Sequence, residues 1–207
     1  MMETMTELHA ERLDRVAALI AASGAQRVLD LGCGAGTLLA RLLGGEFTEL
    51  VGVEQSAARL NSARQQLAEL DQGALDSGRL RLINGSYMDE PLALTGFDAA
   101  AMVETIEHVP LNRLQQVEQV VFGRWRPGCL VMTTPNQEYN VLYGMAPGEF
   151  READHQFEWD RLRFRRWARG VAARQGYQVR FSGIGDADPE YGPPTQVAIF
   201  ECSQDQC

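Results

Sequence analysis

The chain has 207 residues, 45% of them hydrophobic and 23% charged, and a formal net charge of −9. These values are ordinary for a single globular domain with a substantial core. No run reaches the ~20 apolar residues of a membrane span, and the polar, acidic N-terminus does not look like a signal peptide. The net negative charge disfavours a protein that coats long nucleic acids, but it is compatible with a local basic patch that binds a short nucleic-acid end.

The four cysteines are scattered and form no Cys-x-x-Cys pair. This distribution argues against a thiolate zinc site and against a disulfide framework. It suits a reducing compartment, so we expect a cytoplasmic protein.

The first third of the chain predicts a helix, a strand and a glycine-rich turn. Residues 6–23 have apolar side chains near helical spacing, so residues 1–23 are expected to form an N-terminal covering helix. Residues 27–31 predict a strand, followed by the turn GCGAG at 32–36 and a helix over 37–43. The Gly-x-Gly-x-Gly spacing differs from that of dinucleotide-binding turns. Asp30, just before the turn, would repel a phosphate and attract an ammonium group.

A second carboxylate follows the next predicted strand. Residues 50–54 form that strand and end in Glu54, where a carboxylate can accept hydrogen bonds from both hydroxyls of a ribose. Ser56 is the expected N-cap of the helix that follows, and the polar run 73–78 is expected to be a loop. A third strand at 80–83 places Ser86 near its end.

The rest of the chain predicts four more strands, two helices and two long loops. The strands are expected at 97–103, 129–134, 177–181 and 196–200. The helices are expected at 112–125 and, with Asp160 as its N-cap, from there to about 175. Irregular segments this long in a compact domain usually have a function, so 135–159 and 183–195 are predicted to be active-site loops. Residues 1–207 are therefore expected to form one α/β domain. It would have a seven-stranded, mostly parallel sheet with an antiparallel edge strand, and helices on both faces.

Three potential metal ligands follow the predicted fourth strand. If a helical turn begins at Glu104, then Glu104, Glu107 and His108 share one face. His155 is the sole imidazole of the 135–159 loop, which leaves the neighbouring strand at the same edge. Two carboxylates and two imidazoles suit Mn²⁺, Mg²⁺, Fe²⁺ or Zn²⁺. Because Mg²⁺ prefers a purely oxygen shell, the imidazoles favour the transition-metal ions. Taken alone, these residues are also typical of a metal-free site in which His108 is a general base or simply hydrogen-bonded, and a lone loop histidine such as His155 is more often just exposed.

The order of strands, acids and glycines resembles that of class I S-adenosylmethionine-dependent methyltransferases, which have a Rossmann-like fold. The resemblance implies that Asp30 faces the methionine ammonium, that Glu54 holds the ribose and that Ser86 lines the adenine pocket. It also implies that S-adenosylmethionine is the cofactor and that the turn glycines contact it, namely Gly32, Gly34 and Gly36.

Four runs in this order resemble something narrower. The four segments are ETIEHVP at 104–110, TTPNQEYN at 133–140, DHQFEW at 154–159 and DPEYGPPTQVAIF at 188–200. Together they resemble the methyltransferase domain of small-RNA 3′-terminal ribose 2′-O-methyltransferases. This family modifies plant microRNAs and animal Piwi-bound RNAs, which act in RNA-mediated gene silencing, and its bacterial members work in RNA repair. The resemblance covers residues from about 8 to 201. Two departures are the sequence Arg-Glu-Ala at 151–153, where a more basic run is expected, and the lack of a large upstream partner domain, which indicates an excised or stand-alone domain.

The narrower resemblance implies a specific reaction and a specific site. Glu104, Glu107, His108 and His155 are then the catalytic metal ligands, with Mn²⁺ favoured and Mg²⁺ possible. The substrate is an RNA 3′ end, with an RNA-repair or RNA-delivering protein as a further partner and no membrane. A cation lowers the pKa of a ribose hydroxyl, and only a 3′ end offers vicinal 2′- and 3′-hydroxyls to chelate it.

Several residues are candidates for RNA contacts. Arg161, Arg165 and Arg169 have i, i+4 spacing, and they form either a phosphate-contacting stripe or a solvated helix face. The aromatic residues of the first loop could stack on a terminal base or pack against the loop itself; they are Tyr139, Tyr143 and Phe150. Two amide side chains, those of Asn136 and Gln196, could form hydrogen bonds with the ribose or the backbone. Two alternatives remain open: a small-molecule O-methyltransferase that acts on a catechol or quinone-like hydroxyl, and a catalytically silent RNA- or partner-binding module.

Overall fold

The computed structural model describes residues 2–88 and 92–202, with side chains from residue 7 onwards. Its strands are β1 (Arg27–Leu31), β2 (Glu49–Glu54), β3 (Leu80–Asn84), β4 (Ala99–Val103), β5 (Cys129–Pro135), β6 (Tyr177–Ile184) and β7 (Thr195–Cys202). Its α-helices are α1 (Met2–Ala22), α2 (Thr37–Leu42), α3 (Ala57–Asp76), α4 (Leu114–Val117) and α5 (Arg161–Gln175).

The strands form one seven-stranded sheet in the order β3-β2-β1-β4-β5-β7-β6. The pairs from β3 to β5 are parallel, and β7 is antiparallel to both β5 and β6. The predicted α/β fold with a mostly parallel sheet is therefore confirmed. The reversed strand, however, lies one position in from the edge, and β6 is the edge strand. Burial explains this order: the first six residues of β7 are all buried, whereas exposed positions recur along β6.

Helices cover both faces of the sheet, as expected. One buried cluster contains Phe122 and Phe164 from the helices and alternate strand residues such as Leu29. The other contains Ile20 from α1 and Leu67 from α3, packed against the opposite strand faces. Since successive strand side chains point to opposite faces, the continuous apolar strands are buried on both sides.

Two helical segments differ from the sequence prediction. Residues 73–78 were expected to form a loop, but α3 continues to Asp76 across a kink at Asp71 (φ −156°, ψ 84°). The Asp71 carboxylate accepts a hydrogen bond from the amide of Ala74 (2.9 Å) and so caps the second part of the helix. The predicted helix at 112–125 is a 3₁₀ turn at Leu111–Arg113, then α4, then a π-helix at Glu118–Trp125.

The long loop at 135–159 has structure of its own, since it contains a 3₁₀ helix at Gln137–Tyr143. Asp160 caps α5 as predicted, because its side chain accepts from the amide of Arg163. Cys33 and Cys129 are free thiols, whereas Cys202 is disulfide-bonded, so the cysteines are not all reduced even though their spacing argued against a disulfide framework. None of the helices that the structure describes has the length and apolarity to span a bilayer.

Candidate active site

The glycine-rich turn after β1 brings the backbone close to its neighbours. Gly32 has a φ of 84°, and a Cβ atom there would lie 2.5 Å from Cγ2 of Thr105. Gly34 also has a positive φ, but the space around its missing Cβ is open to 4 Å. Gly36 differs from both, because a Cβ there would meet Leu67 at 2.8 Å. Gly32 therefore allows the turn to pack against Thr105, and Gly36 allows α2 to pack against α3, whereas the space beside Gly34 is open.

Two carboxylates lie beside this turn. Glu54 is buried, and its oxygens accept hydrogen bonds from the amides of Gly34 (3.0 Å) and Ser56 (2.7 Å). Asp30 is 2% exposed, and its Oδ2 atom has no hydrogen-bond partner among the described residues. Burial, together with the nearby charge of Glu54, raises the pKa of Asp30 to about 7. Burying an ionised carboxylate in this way costs free energy unless a cationic group pairs with it.

A cleft crosses the carboxyl ends of β1, β2 and β4. One part, of about 240 Å³, is lined by residues that include Glu54, Ser86 and His108. The other part, of about 370 Å³, is lined by residues that include Asp30 and Gly34. The two parts share lining residues, namely Gly32, Arg59 and Glu104. All the predicted cofactor residues except Gly36 therefore line one continuous cleft at the ligand edge of the sheet.

Three predicted metal ligands converge beside the cleft. The candidate ligand atoms of Glu107, His108 and His155 all lie within 4.8 Å of one another. A 3₁₀ turn at Ile106–His108 presents the first two, and the 135–159 loop supplies the third. The amide of Gln156 donates to the carbonyl of Glu107 (2.8 Å), which fastens the loop to the turn. The imidazole rings of His108 and His155 meet edge to face, with centroids 4.9 Å apart.

The buried carboxylate of Glu107 fits a cation. It is fully buried, its Oε2 accepts from the hydroxyl of Thr134 (3.1 Å), and its Oε1 has no partner among the described residues. Burial, and then the charge of Glu104, raise the pKa of Glu107 well above its ordinary value. A cation would compensate both effects. The set of one carboxylate and two imidazoles therefore suits a transition-metal ion.

Glu104 lies at the same edge but is held differently. It has a positive φ of 49°, so the 3₁₀ turn starts beyond it and the expected helical turn from Glu104 is wrong. Its Oε1 accepts from the hydroxyl of Thr133 (2.8 Å), and its Oε2 lies 3.3 Å from the guanidinium of Arg12. Arg12 is 6% exposed and also donates to Thr195. The strained backbone of Glu104 is typical of a functional position.

Sequence reasoning missed the carboxylates behind the two histidines. Glu158 accepts from Nδ1 of His155 (2.6 Å), and Asp154 lies 3.4 Å from Nδ1 of His108. Burial alone would raise the pKa of Glu158, but hydrogen bonds led by the one from His155 outweigh it and lower that pKa. An ionised Glu158 requires the hydrogen on Nδ1 of His155, which leaves Nε2 free for a metal. The segment DHQFEW contains both acids, and the spacing of three residues between His155 and Glu158 could have indicated that these two side chains interact.

Other predicted contacts have structural partners instead. The buried amides of Asn136 and Gln196 donate to backbone carbonyls, Asn136 to Tyr191 and Pro193 (both 2.8 Å) and Gln196 to Pro135 and Trp159. The amide groups of both side chains therefore hold loops in place. In the first loop, the rings of Tyr139 and Tyr143 pack edge to face with centroids 5.2 Å apart. Phe150 is 36% exposed.

Comparisons with known proteins agree with this geometry. A family model described as a methyltransferase domain matches residues 29–131. A small RNA 2′-O-methyltransferase of Gallus gallus is 34% identical over 203 residues, which cover 93% of this chain and 53% of that protein. The one of Arabidopsis thaliana is 30% identical, and its matched part covers 93% of this chain and 22% of that protein. The chain thus spans about half of the curated relatives it matches, or less.

Solved structures give matches over a whole domain. The methyltransferase domain of a bacterial Hen1 protein superposes with a TM-score of 0.83 and 39% identity, over 94% of this chain and 99% of that one. The small RNA methyltransferase HEN1 superposes with a TM-score of 0.83 and 30% identity, over 95% of this chain and 26% of that one. The chain therefore belongs to the methyltransferase-domain family of the small RNA 2′-O-methyltransferases.

Proposed function

We propose that this chain transfers a methyl group from S-adenosylmethionine to the 2′-hydroxyl of the 3′-terminal ribose of RNA, and that the transfer depends on a divalent metal ion. The observation that carries the proposal is the position of the Glu107, His108 and His155 cluster against the cleft. His108 belongs to the cluster and also lines the cleft. A cofactor and a cation bound there would therefore be neighbours.

The cleft residues fit S-adenosylmethionine, which supplies an electrophilic methyl group when bound. Asp30 is the partner for the methionine ammonium, because its buried oxygen lacks one among the described residues. Glu54 holds the ribose hydroxyls; its oxygens already accept backbone amides, but each retains a second lone pair. Gly32 and Gly34 give the backbone close approach, and Ser86 borders the adenine end.

The cluster fits a divalent cation, for which Mn²⁺ is favoured and Mg²⁺ is second because two ligands are imidazoles. Such an ion supplies Lewis-acid polarisation that lowers the pKa of a ribose hydroxyl. Glu158 and Asp154 fix the imidazole orientations through Nδ1. Glu104 is proposed as the fourth ligand, which requires its carboxylate to leave Arg12 or to share it. His108 is the candidate base, although ligation competes with that role.

The reaction would be specific for RNA ends because of the substrate's own chemistry. A 3′-terminal ribose has two adjacent free hydroxyls that can approach one cation together, whereas an internal ribose has its 3′-oxygen esterified. The curated relatives in vertebrates and plants are named for small RNAs. A neighbour of the same fold is a Hen1 protein in an RNA repair complex with Pnkp1 and Rnl, at 18% identity. We accordingly propose a short or cleaved RNA as substrate, an RNA-repair or RNA-delivering protein as partner, a cytoplasmic location, and residues 1–207 as one domain.

The test is methyl transfer from labelled S-adenosylmethionine to a short RNA, with added Mn²⁺ or with chelator. We expect transfer that requires the ion and that fails when the terminal ribose lacks its 2′-hydroxyl or carries a 3′-phosphate. Equal transfer to a 2′-deoxy end would refute the proposal. Transfer to a catechol-type hydroxyl with none to RNA would show a small-molecule O-methyltransferase instead.

A variant separates the metal from the cofactor. His155→Ala should abolish stimulation by Mn²⁺ while the dissociation constant for S-adenosylhomocysteine stays within about twofold, because His155 does not line the cleft. Metal-dependent activity at the wild-type level in this variant would show that the ligand assignment is wrong.

A further inference from the structure

The helix α5 concentrates positive charge on an acidic protein. The chain has a net charge of −9 and its 19 basic residues are all arginines. Six of them lie in the 15 residues of α5, which contain no acidic side chain. Such a local concentration is balanced by neighbouring acids, by solvent counterions or by a polyanionic partner.

Among the described residues, neighbouring acids form salt bridges only with the arginines at the two ends of α5. Arg161 bonds to Glu138, and Arg174 bonds to Glu118 through two nitrogens (2.9 and 2.7 Å). The four arginines between them are solvent-exposed, and within residues 7–88 and 92–202 none of them lies within salt-bridge distance of a carboxylate, although the charge of Arg165 contributes to lowering the pKa of Glu138. We call these four the basic face: Arg163, Arg165, Arg166 and Arg169.

Three guanidinium groups of the basic face are held in place by aromatic rings. Those of Arg165 and Arg169 lie over Phe181, 5.7 and 5.4 Å from its centroid, and that of Arg163 lies 5.6 Å from the centroid of Trp159. A guanidinium over a ring keeps hydrogen-bond donors free at its edge and loses less freedom on binding. Planar, pre-organised donors of this kind match the two oxygens of a phosphate.

The basic face begins beside the candidate active site. Trp159, which lies beneath Arg163, stacks on Phe157 with centroids 4.3 Å apart. The amide of Gln156 in the same segment bonds to the backbone of Glu107 in the metal cluster. From there α5 extends by about 22 Å, at 1.5 Å per residue. A strand whose end lies in the cleft has this face within reach.

We propose that the basic face binds the phosphodiester backbone of single-stranded RNA upstream of the nucleotide that is methylated. This inference rests on the proposed function for the identity of the polyanion. The exposed charge, its stacked geometry and its start at the site favour RNA over an acidic protein, since the arginine fork matches successive phosphates and the same strand already ends in the cleft. The face then sets affinity for RNA but not the chemistry at its end.

The experiment compares paired substitutions of equal charge. Arg165→Gln/Arg169→Gln and Arg163→Gln/Arg166→Gln are matched with Arg15→Gln/Arg64→Gln, a pair of exposed arginines on α1 and α3. Binding of a 5′-fluorescent RNA of roughly 20 nucleotides is measured by anisotropy across salt concentrations. Methylation kinetics are measured on that RNA and on a dinucleotide too short to reach the face. Thermal melting and S-adenosylhomocysteine binding verify the fold of each variant.

For each α5 pair we expect RNA affinity about tenfold weaker at low salt, and a log–log salt slope smaller by about 1.4, or ~0.7 for each lost contact with single-stranded RNA. KM should rise on the long RNA with kcat unchanged, and the dinucleotide and the control pair should match wild type. Unchanged affinity and KM in well-folded α5 variants would overturn the inference. If wild type binds RNA through α5 but does not methylate it, the proposed function fails while this inference stands.

Discussion

Replacing Glu158 with glutamine tests how the protein orients His155, a proposed metal ligand. The Glu158 side chain is fully buried, and both of its oxygens accept hydrogen bonds. Oε1 accepts from Nδ1 of His155 (2.6 Å) and from the amide of Arg151 (2.7 Å), and Oε2 accepts from Nδ2 of Asn140 (2.6 Å). Glutamine is nearly isosteric, but its NH₂ group is a donor and must face at least one of these donors.

Rotating Asn140 does not remove the mismatch, because its Oδ1 already accepts from Nε of Arg151 (2.7 Å). One buried donor is therefore left without an acceptor in every arrangement, at a cost of about 1–3 kcal/mol. If that cost falls on the orientation of His155, Mn²⁺ affinity drops about 10- to 100-fold, the range seen when a group behind a metal ligand is changed. The two magnitudes agree, because each tenfold change in affinity is about 1.4 kcal/mol.

The assay is calorimetric titration of Mn²⁺ into Glu158→Gln, with S-adenosylhomocysteine titrated separately. Cofactor affinity should be unchanged, because Glu158 does not line the cleft. Glu152→Gln is the matched control, since Glu152 is exposed in the same loop and its replacement removes the same charge. A cooperatively folded Glu158→Gln that binds Mn²⁺ within about twofold of wild type would refute the role assigned to this carboxylate.

Three further predictions concern the cofactor turn and the loops. With a pKa of about 7, Asp30 is about half ionised at pH 7 and mostly protonated at pH 6 in the free protein, so S-adenosylhomocysteine should bind about fivefold more weakly at pH 6 than at pH 7. Calorimetry tests this on wild type and on Asp30→Asn, whose affinity should be weak and independent of pH. Gly32→Ala forces a Cβ to 2.5 Å from Thr105 and should lose more stability in urea than Gly34→Ala, where the space is open; equal losses would contradict the contact. Asn136→Ala leaves two carbonyls of the second loop without their donor and should lower the free energy of unfolding by about 1–3 kcal/mol, with cofactor affinity intact; a stability equal to wild type would show that water replaces the amide.

Much of the fold was predictable from the sequence because the relevant signals are local. The apolar strands, the glycine turn and the N-caps at Ser56 and Asp160 depend on neighbouring residues. The acids Asp30 and Glu54 could be placed beside a ligand because parallel strands end at a common edge. The order of β6 and β7 in the sheet was harder to predict from the sequence, because it depends on which of the two strands is buried more completely by helices from elsewhere in the chain.

The sequence by itself indicated candidate residues for the chemistry, because carboxylates and imidazoles follow strands that end at one edge of a parallel sheet. Only the tertiary structure decided which of these residues lie together and which have other partners. It joins Glu107, His108 and His155, and it pairs Glu104 with Arg12, a residue 92 positions earlier on α1. It also turns Asn136 and Gln196 into loop fasteners. These partnerships cross long stretches of chain, and their strength depends on burial, which no local pattern specifies.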